Sequence, residues 1–272
     1  MPFIYAEHGI KNWRMLMATR SSSLLKWANV LAFALTVLVN GLAGSTTLLG
    51  GKNTAQVSND NPTLITPAGY VFSIWGVIYI LLGIFAVVQA LPSEKGKDYE
   101  KSISWLFVLS SLSNIVWLFL WQFEHLGLSV VLMFLLLASL ISIYLRLGIG
   151  KSKVGSRERL AFHVPFSVYL GWITIASIAN VAVTLVSVNW DAFGINPEIW
   201  ATLIIIVALS ITMLVLATRK DIAYGLVIVW ALAGIAAGQS GNQNIVTLSE
   251  ASAIIVLIAL AVTILLTKLR RQ

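Results

Sequence analysis

The sequence predicts an all-α polytopic membrane protein with about eight transmembrane helices. Hydrophobic residues make up 58% of the 272 residues and charged residues only 11%, whereas a soluble domain carries about 25% charged residues. The apolar runs are roughly 20 residues long, which is the length that a helix needs to cross the hydrocarbon core. Backbone amides must be paired inside a bilayer, and a barrel would show short alternating strands, so helices are the predicted spans.

The predicted spans follow one another with short connections. Residues 1–23 are polar and basic, and we expect them to form a cytoplasmic N-terminal segment. The apolar run that follows is longer than the about 7 to 15 residues of a signal-peptide core, so it is interpreted as an uncleaved first helix. The eight spans are predicted near residues 27–48, 69–90, 102–122, 127–147, 162–187, 198–217, 222–239 and 249–267.

The basic residues predict the orientation of these spans. Lysine and arginine accumulate in cytoplasmic loops, and with the N-terminus inside, all 18 of them except Lys52 fall on the inner side. We therefore predict a multi-pass protein of the cell membrane with both termini cytoplasmic. The net charge of +7 needs no nucleic acid, since the anionic lipid of the inner leaflet is the nearer partner.

The second span follows a loop that contains Pro62 and Pro67. Proline suits the first turn of a helix because it has no backbone N–H to leave unpaired there, so the helix is predicted to begin near Pro67. Once it begins, Phe72, Trp75 and Tyr79 recur at steps of three and four residues. This spacing places three aromatic rings on one helix face.

Two further spans carry similar faces. They are formed by Ser110, Asn114, Trp117 and Trp121 on the third span and by Pro165, Tyr169, Trp172, Ala176 and Asn180 on the fifth. If the three faces converge, they line a cavity with flat apolar walls and a few hydrogen-bonding groups, which is the usual composition of a small-ligand site.

A purely structural interpretation of these residues is also open. Asparagine often ties membrane helices together, and tryptophan often marks the membrane interface. Trp105, Trp121, Trp190 and Trp200 lie near span ends and are interpreted as interface residues. Trp75 and Trp172 lie deeper, where a pocket wall is the stronger alternative.

Several classes of chemistry find little support in the composition. The chain has no cysteine, which excludes thiol nucleophiles and thiolate metal sites, and His8, His125 and His163 are too scattered to suggest a metal site. No charged residue falls well inside a predicted span, which disfavours an ion-driven carrier. No acid/base pair or paired nucleophile and base is recognisable, so an enzymatic role is left uncertain and a non-enzyme is favoured.

Three segments in order resemble the translocator protein (TspO/MBR) family, also called tryptophan-rich sensory proteins. They are T-P-A-G-Y-V-F-S-I-W-G-V-I-Y at residues 66–79, S-N-I-V-W at 113–117, and V-P-F-S-V-Y-L-G-W-I-T-I-A-S-I-A-N at 164–180. The resemblance covers about residues 27–190, the length of the family's five-helix bundle. The sequence departs from the family pattern at Ala68, which replaces a proline, at Tyr70, which replaces a tryptophan, and at Leu64 and Ile65, which replace the tryptophan of the first loop.

The resemblance implies a pocket within the bundle that binds porphyrins, sterols or synthetic aromatic ligands. By this likeness Trp75, Asn114 and Trp172 match ligand-contacting positions. The other predicted ligand-binding residues are Phe72, Tyr79, Trp117, Tyr169, Ala176 and Asn180. No cofactor is expected to be required, and a porphyrin is the bound group that the likeness suggests.

Residues 191–272 are predicted to add three transmembrane helices to the five-helix bundle of residues 24–190. Gly234 and Gly238 have the spacing that lets helices approach closely, which predicts packing against the bundle, with a homodimer as the alternative. The polar residues 239–244 are predicted to form a solvated outer loop, with a second lid over the pocket as the alternative.

These observations favour an integral membrane receptor or binding protein for a planar hydrophobic small molecule, acting as a sensor or carrier. Light-dependent porphyrin degradation by oxidisable indoles is one alternative. An uncoupled small-molecule transporter is another.

Overall fold

The computed structural model describes residues 3–91 and 98–269. Within these ranges the chain forms helices, turns and loops and no strand, so the predicted all-α class is confirmed. Parts of the predicted inner segments, namely residues 92–97 and the basic end at 270–272, lie outside the described residues.

Eleven helices follow one another along the described chain. They are α1 Phe3–Ser45, α2 Thr54–Asp60, α3 Ile74–Ala90, α4 Asp98–Ile103, α5 Leu106–Gln122, α6 Leu126–Arg146, α7 Ser156–Glu158, α8 Val164–Ser187, α9 Pro197–Arg219, α10 Ile222–Gly238 and α11 Gln243–Leu269. Two 3₁₀ turns, Gly69–Ser73 before α3 and Ala192–Gly194 before α9, and a π-helical turn, Arg159–His163 before α8, complete the helical structure.

The eight predicted spans all have a helical counterpart. Six segments are long and apolar enough to cross a membrane: Ser23–Ser45, Gly69–Ala90, Leu126–Arg146, Ser156–Ser187, Pro197–Arg219 and Gln243–Leu269. The third and seventh predicted spans correspond to the shorter apolar helices α5 and α10. The chain is therefore a multi-pass membrane protein.

Several helix boundaries differ from the predicted ones. Helix α1 begins at Phe3, inside the predicted N-terminal segment, because no proline interrupts residues 3–45. Helix α5 begins at Leu106 rather than near 102. Pro67 is not in the first turn of the second span, since the 3₁₀ turn begins at Gly69 after the N-cap residue Ala68.

A short helix in the connection between the first two spans was not predicted. Asn53 begins α2 with a capping box, in which its Oδ1 accepts from the Gln56 N–H at 2.9 Å and its own N–H donates to Gln56 Oε1 at 2.7 Å. The sequence signal was therefore present, since an asparagine followed by glutamine three residues later is typical of a helix start. Lys52 pairs with Asp60 at 2.8 Å and with Glu124 at 2.6 Å, and these bonds raise the pKa of the Lys52 ammonium above its ordinary value.

Helices α1, α3, α5, α6 and α8 pack together as one bundle, with α10 lying on its α8 side. Gly171 of α8 allows this approach, since a Cβ there would lie 3.1 Å from the Val227 Cβ and 3.2 Å from the Tyr224 carbonyl oxygen. Helices α9 and α11 pack against α10 and against each other. The last three helices therefore join the bundle through α10, and the division at residue 190 stays a prediction.

Gly234 and Gly238 pack α10 against the bundle, as predicted. Their neighbour is not a second helix but the loop that leads into α3, which we call the capping loop (residues 61–68), and the turn after it. A Cβ at Gly238 would lie 2.7 Å from the Ala68 nitrogen, and a Cβ at Gly234 would overlap Val71. Both glycines thus make room for backbone or side chain of this segment.

Candidate functional site

Trp75, near the start of α3, lies at the centre of an aromatic cluster. Its ring centroid is 5.6 Å from that of Tyr79, 6.0 Å from Tyr169, 6.2 Å from Trp172 and 6.4 Å from Trp117. The rings of Trp172 and Trp75 meet edge to face, and Trp75 and Tyr79 are stacked. The aromatic faces of the second, third and fifth spans therefore converge.

The cluster surrounds a small cavity. Six of the nine predicted ligand-binding residues line it, namely Phe72, Trp75, Trp117, Trp172, Ala176 and Asn180. Tyr79, Asn114 and Tyr169 are not among its lining residues. Its volume is about 60 Å³, because the rings fill most of the space between the three helices.

The two predicted asparagines have different surroundings. Asn180 accepts from Trp117 Nε1 at 2.7 Å and donates to Ser129 Oγ at 2.8 Å. It therefore ties α5, α6 and α8 together. Asn114 Oδ1 accepts from Asn40 Nδ2 at 2.7 Å, while its own Nδ2 has no hydrogen-bond partner among the described residues.

Two more buried polar atoms of the predicted residues lack a partner within the described chain. They are Trp172 Nε1 and the Tyr79 hydroxyl. Buried polar groups are almost always hydrogen-bonded, and an indole N–H and an amide NH₂ can only donate. A ligand with acceptor oxygen or nitrogen atoms would satisfy these groups.

Trp121 belongs to the site, although the sequence analysis interpreted it as an interface residue. Only 4% of its surface is exposed, its ring stacks on Trp117 at 5.7 Å, and its Nε1 donates to the Thr54 carbonyl at 3.1 Å. Helical spacing was the available signal, since Trp121 follows Trp117 by four residues. Trp105, in contrast, is 51% exposed, and its interface position stays a prediction.

The cavity also has walls that the five-helix prediction did not include. Helix α2 contributes Thr54 and Ser58, and helices α9 and α10 contribute Ile204, Ile205, Ala208, Ala231, Leu232 and Ile235. No sequence motif indicated these residues, because aliphatic side chains on a membrane helix look alike whether they face a cavity or lipid.

The capping loop closes one end of the cavity and is held there by α10. Gln239 Nε2 donates to the carbonyls of Thr63 and Thr66 at 3.0 and 2.8 Å. The Ala68 N–H donates to the Gly234 carbonyl at 2.9 Å. Gln239 was predicted to lie in a solvated loop; instead it is half-buried and binds the capping loop.

Two departures from the translocator protein pattern contact α10. A proline at position 68 would have no N–H, so Ala68 makes the hydrogen bond to Gly234 possible. Tyr70 packs edge to face on Trp230 of α10, with ring centroids 5.4 Å apart. Ile65, which stands in place of the loop tryptophan, lines the aromatic cavity. Ala68 and Tyr70 are therefore compatible with the packing of α10 against this segment.

Fold and site together define a polytopic helical membrane protein with a small, aromatic-lined cavity. The family model of the TSPO-like proteins matches residues 26–266, and the chain belongs to this family. The match extends past residue 190 over the last three helices, further than the resemblance in the sequence motifs. Neither the curated proteins nor the solved structures give a significant match.

Proposed function

We propose that this protein is a membrane receptor that binds a planar hydrophobic small molecule of the porphyrin type and acts as a sensor or carrier. The observation that carries the proposal is the convergence of Trp75, Trp117 and Trp172 from three helices around one point. Family membership supports the same class of protein.

The chemistry of the site favours a flat ligand with acceptor atoms at its edge. Indole and phenol rings offer large apolar faces for stacking or edge contacts with a planar ring system. Trp172 lines the cavity, and its unpartnered Nε1 donor matches a carboxylate or carbonyl oxygen of such a ligand. A porphyrin carries both features, whereas a sterol offers a single hydroxyl and no aromatic face.

The small volume of the cavity implies that binding includes a conformational change. Small-ligand sites typically measure about 300 to 1,000 Å³, and the cavity of about 60 Å³ is far below this range. The rings and the capping loop must therefore separate before a porphyrin fits. When the binding-competent state is a minor one, the apparent affinity falls in proportion to its population.

Titration with protoporphyrin tests the proposal. We expect saturable quenching of the tryptophan fluorescence in purified protein, and we expect the double variant Trp75→Phe/Trp172→Phe to bind about tenfold more weakly because it loses indole contacts. Trp105→Phe removes an exposed indole outside the cluster and serves as the matched control. An unchanged Kd in a well-folded double variant would refute the assignment of the site.

We also propose that the protein lies in the cell membrane with both termini in the cytoplasm. The support is the distribution of lysine and arginine, of which only Lys52 falls in an outer connection. The basic inner segments would then lie against anionic inner-leaflet lipid. A reporter fused to the C-terminus should be active in the cytoplasm. Activity of the reporter on the extracytoplasmic side would show that the orientation is the opposite one.

A further inference from the structure

A groove of about 480 Å³ lies between the C-terminal halves of α9 and α11. Ala217 of α9 and Ala259 of α11 both line it, and their small side chains leave the space open. Behind the groove, Leu216 and Leu260 approach Gly225 of α10, so α10 supports both helices from the other side. We call this feature the α9–α11 groove.

The groove is suited to an apolar chain within the membrane. Both helices are long and apolar enough to cross a bilayer, and Ile258, Val262 and Leu266, which line the groove, are all exposed. Residues 255–266 extend it over about 16 Å at about 1.5 Å per residue. This length matches the hydrocarbon depth of one leaflet, which is half of about 30 Å.

Lys220 gives one end of the groove a positive charge. It is the only charged residue among the described residues that line the groove, and its exposed side chain has no ion-pair or hydrogen-bond partner within the described chain. The neighbouring Asp221 does not neutralise it, because the carboxylate accepts from the Tyr144 hydroxyl at 2.9 Å and from the Tyr224 N–H at 3.2 Å. Lys220 is therefore available to an anion outside the protein.

The connection between α6 and α7 adds positive charge near this end. It packs on the end of α9, since a Cβ at Gly150 would overlap the Arg219 carbonyl oxygen and Arg219 Nη1 donates to the Ile149 carbonyl at 3.4 Å. Lys151 and Lys153 follow in this connection and are exposed. A headgroup with a net negative charge is therefore favoured over a zwitterionic one, whose own cation would be repelled.

We propose that the α9–α11 groove is a binding site for an anionic phospholipid, with one acyl chain along the groove and the phosphate beside Lys220. A second copy of the chain is a less suitable occupant, because two copies in the same membrane orientation would bring their lysines together at one membrane surface. The site does not depend on the porphyrin-type site. It does not depend on the predicted orientation either, because a bilayer with the same lipid in both leaflets offers the ligand at either end.

Photolabelling in nanodiscs of phosphatidylcholine tests the proposal with the full chain. The probe is phosphatidylglycerol with a diazirine on one acyl chain, and phosphatidylcholine with the same chain is its zwitterionic counterpart. We expect saturable labelling by the phosphatidylglycerol probe within residues 213–220 and 255–266, competed by unlabelled phosphatidylglycerol. Equal labelling by both probes would overturn the proposal. So would an unlabelled groove in protein that native mass spectrometry shows to be a dimer, since a second copy would then cover it.

Two substitutions at exposed positions provide the second arm. Lys220→Gln should reduce the saturable labelling about fivefold. Lys268→Gln is the matched control, because Lys268 also lies in the last turn of its helix but outside the groove lining. Ala217→Phe fills the groove and should abolish the saturable labelling, whereas Ala261→Phe, at an exposed position of α11 outside the lining, should label like the parent protein. Undiminished labelling in either groove variant would overturn the proposal.

Discussion

Beside the aromatic cavity of about 60 Å³ lies a second one of about 940 Å³. The second cavity, which we call the outer cavity, is lined by the capping loop, the end of α8 and the start of α9. The two share Ile65, Pro67 and Ile204, yet the first is nearly filled and the second is not. The aromatic site lies where α3, α5 and α8 pack directly, so large rings occupy the space between them. The outer cavity lies between α8 and α9, and α9 packs on α10 and α11 instead. The free volume of each cavity depends less on the size of the lining side chains than on which helices are in contact.

The capping loop separates the two cavities. It is held by α10 through backbone and side-chain hydrogen bonds. Because loops open more readily than packed helices, the volume of each cavity depends on these few contacts. Substitutions in the aromatic site and in the contacts of the capping loop test this comparison, in order of expected effect on stability.

Gly238→Ala should have the largest effect. Its Cβ would lie 2.7 Å from both the Ala68 nitrogen and the Thr66 carbonyl oxygen, and backbone atoms cannot rotate away as a side chain can. We expect a loss of about 1 to 3 kcal/mol and faster proteolysis of the capping loop, measured by thermal unfolding in detergent and by limited digestion. Gly241→Ala, which meets nothing within 4 Å, is the control, and equal behaviour of the two variants would contradict the close approach.

Asn180→Ala should come next. It leaves the buried Trp117 N–H without its acceptor and removes the bond to Ser129, at a cost of about 1 to 2 kcal/mol. Asn114→Ala is the paired variant. It should lower stability less than Asn180→Ala, because Asn40 Nδ2 also donates to the Thr36 carbonyl. It should lower the affinity for protoporphyrin more. Thermal unfolding and fluorescence titration measure the two effects. If Asn114→Ala lost more stability and Asn180→Ala lost more affinity, the roles assigned to the two amides would be exchanged.

Gln239→Ala should have the smallest effect on stability. It removes two hydrogen bonds to the capping loop, and a loss of about 1 kcal/mol would raise the association rate of protoporphyrin by about fivefold if loop opening limits it. Stopped-flow quenching measures this rate. Gln243→Ala is the control, since the Gln243 side chain donates to Thr247 within its own helix. An unchanged association rate for Gln239→Ala would show that opening of the capping loop does not limit ligand access.

Much of the site was predictable because helical spacing is a local property. The steps of three and four residues placed Phe72, Trp75 and Tyr79 on one face. The rings of Phe72 and Trp75 do meet those of α5 and α8. Trp121 was misassigned because its place near a span end resembles an interface position. Gln239 was misassigned because a polar residue between two spans has the same pattern whether it is solvated or bound to a loop.

The sequence by itself determined the membrane class, the eight helices, the family and the aromatic faces, since hydrophobic length, periodicity and motifs are encoded over short stretches of chain. Only the tertiary structure decided that the aromatic cavity is nearly filled by its own rings, that α10 holds the capping loop, and that a second cavity exists beside it. These features arise from contacts between residues far apart in the chain, such as Gly234 with Ala68. No local pattern specifies which helices become neighbours, so packing alone determines where space remains.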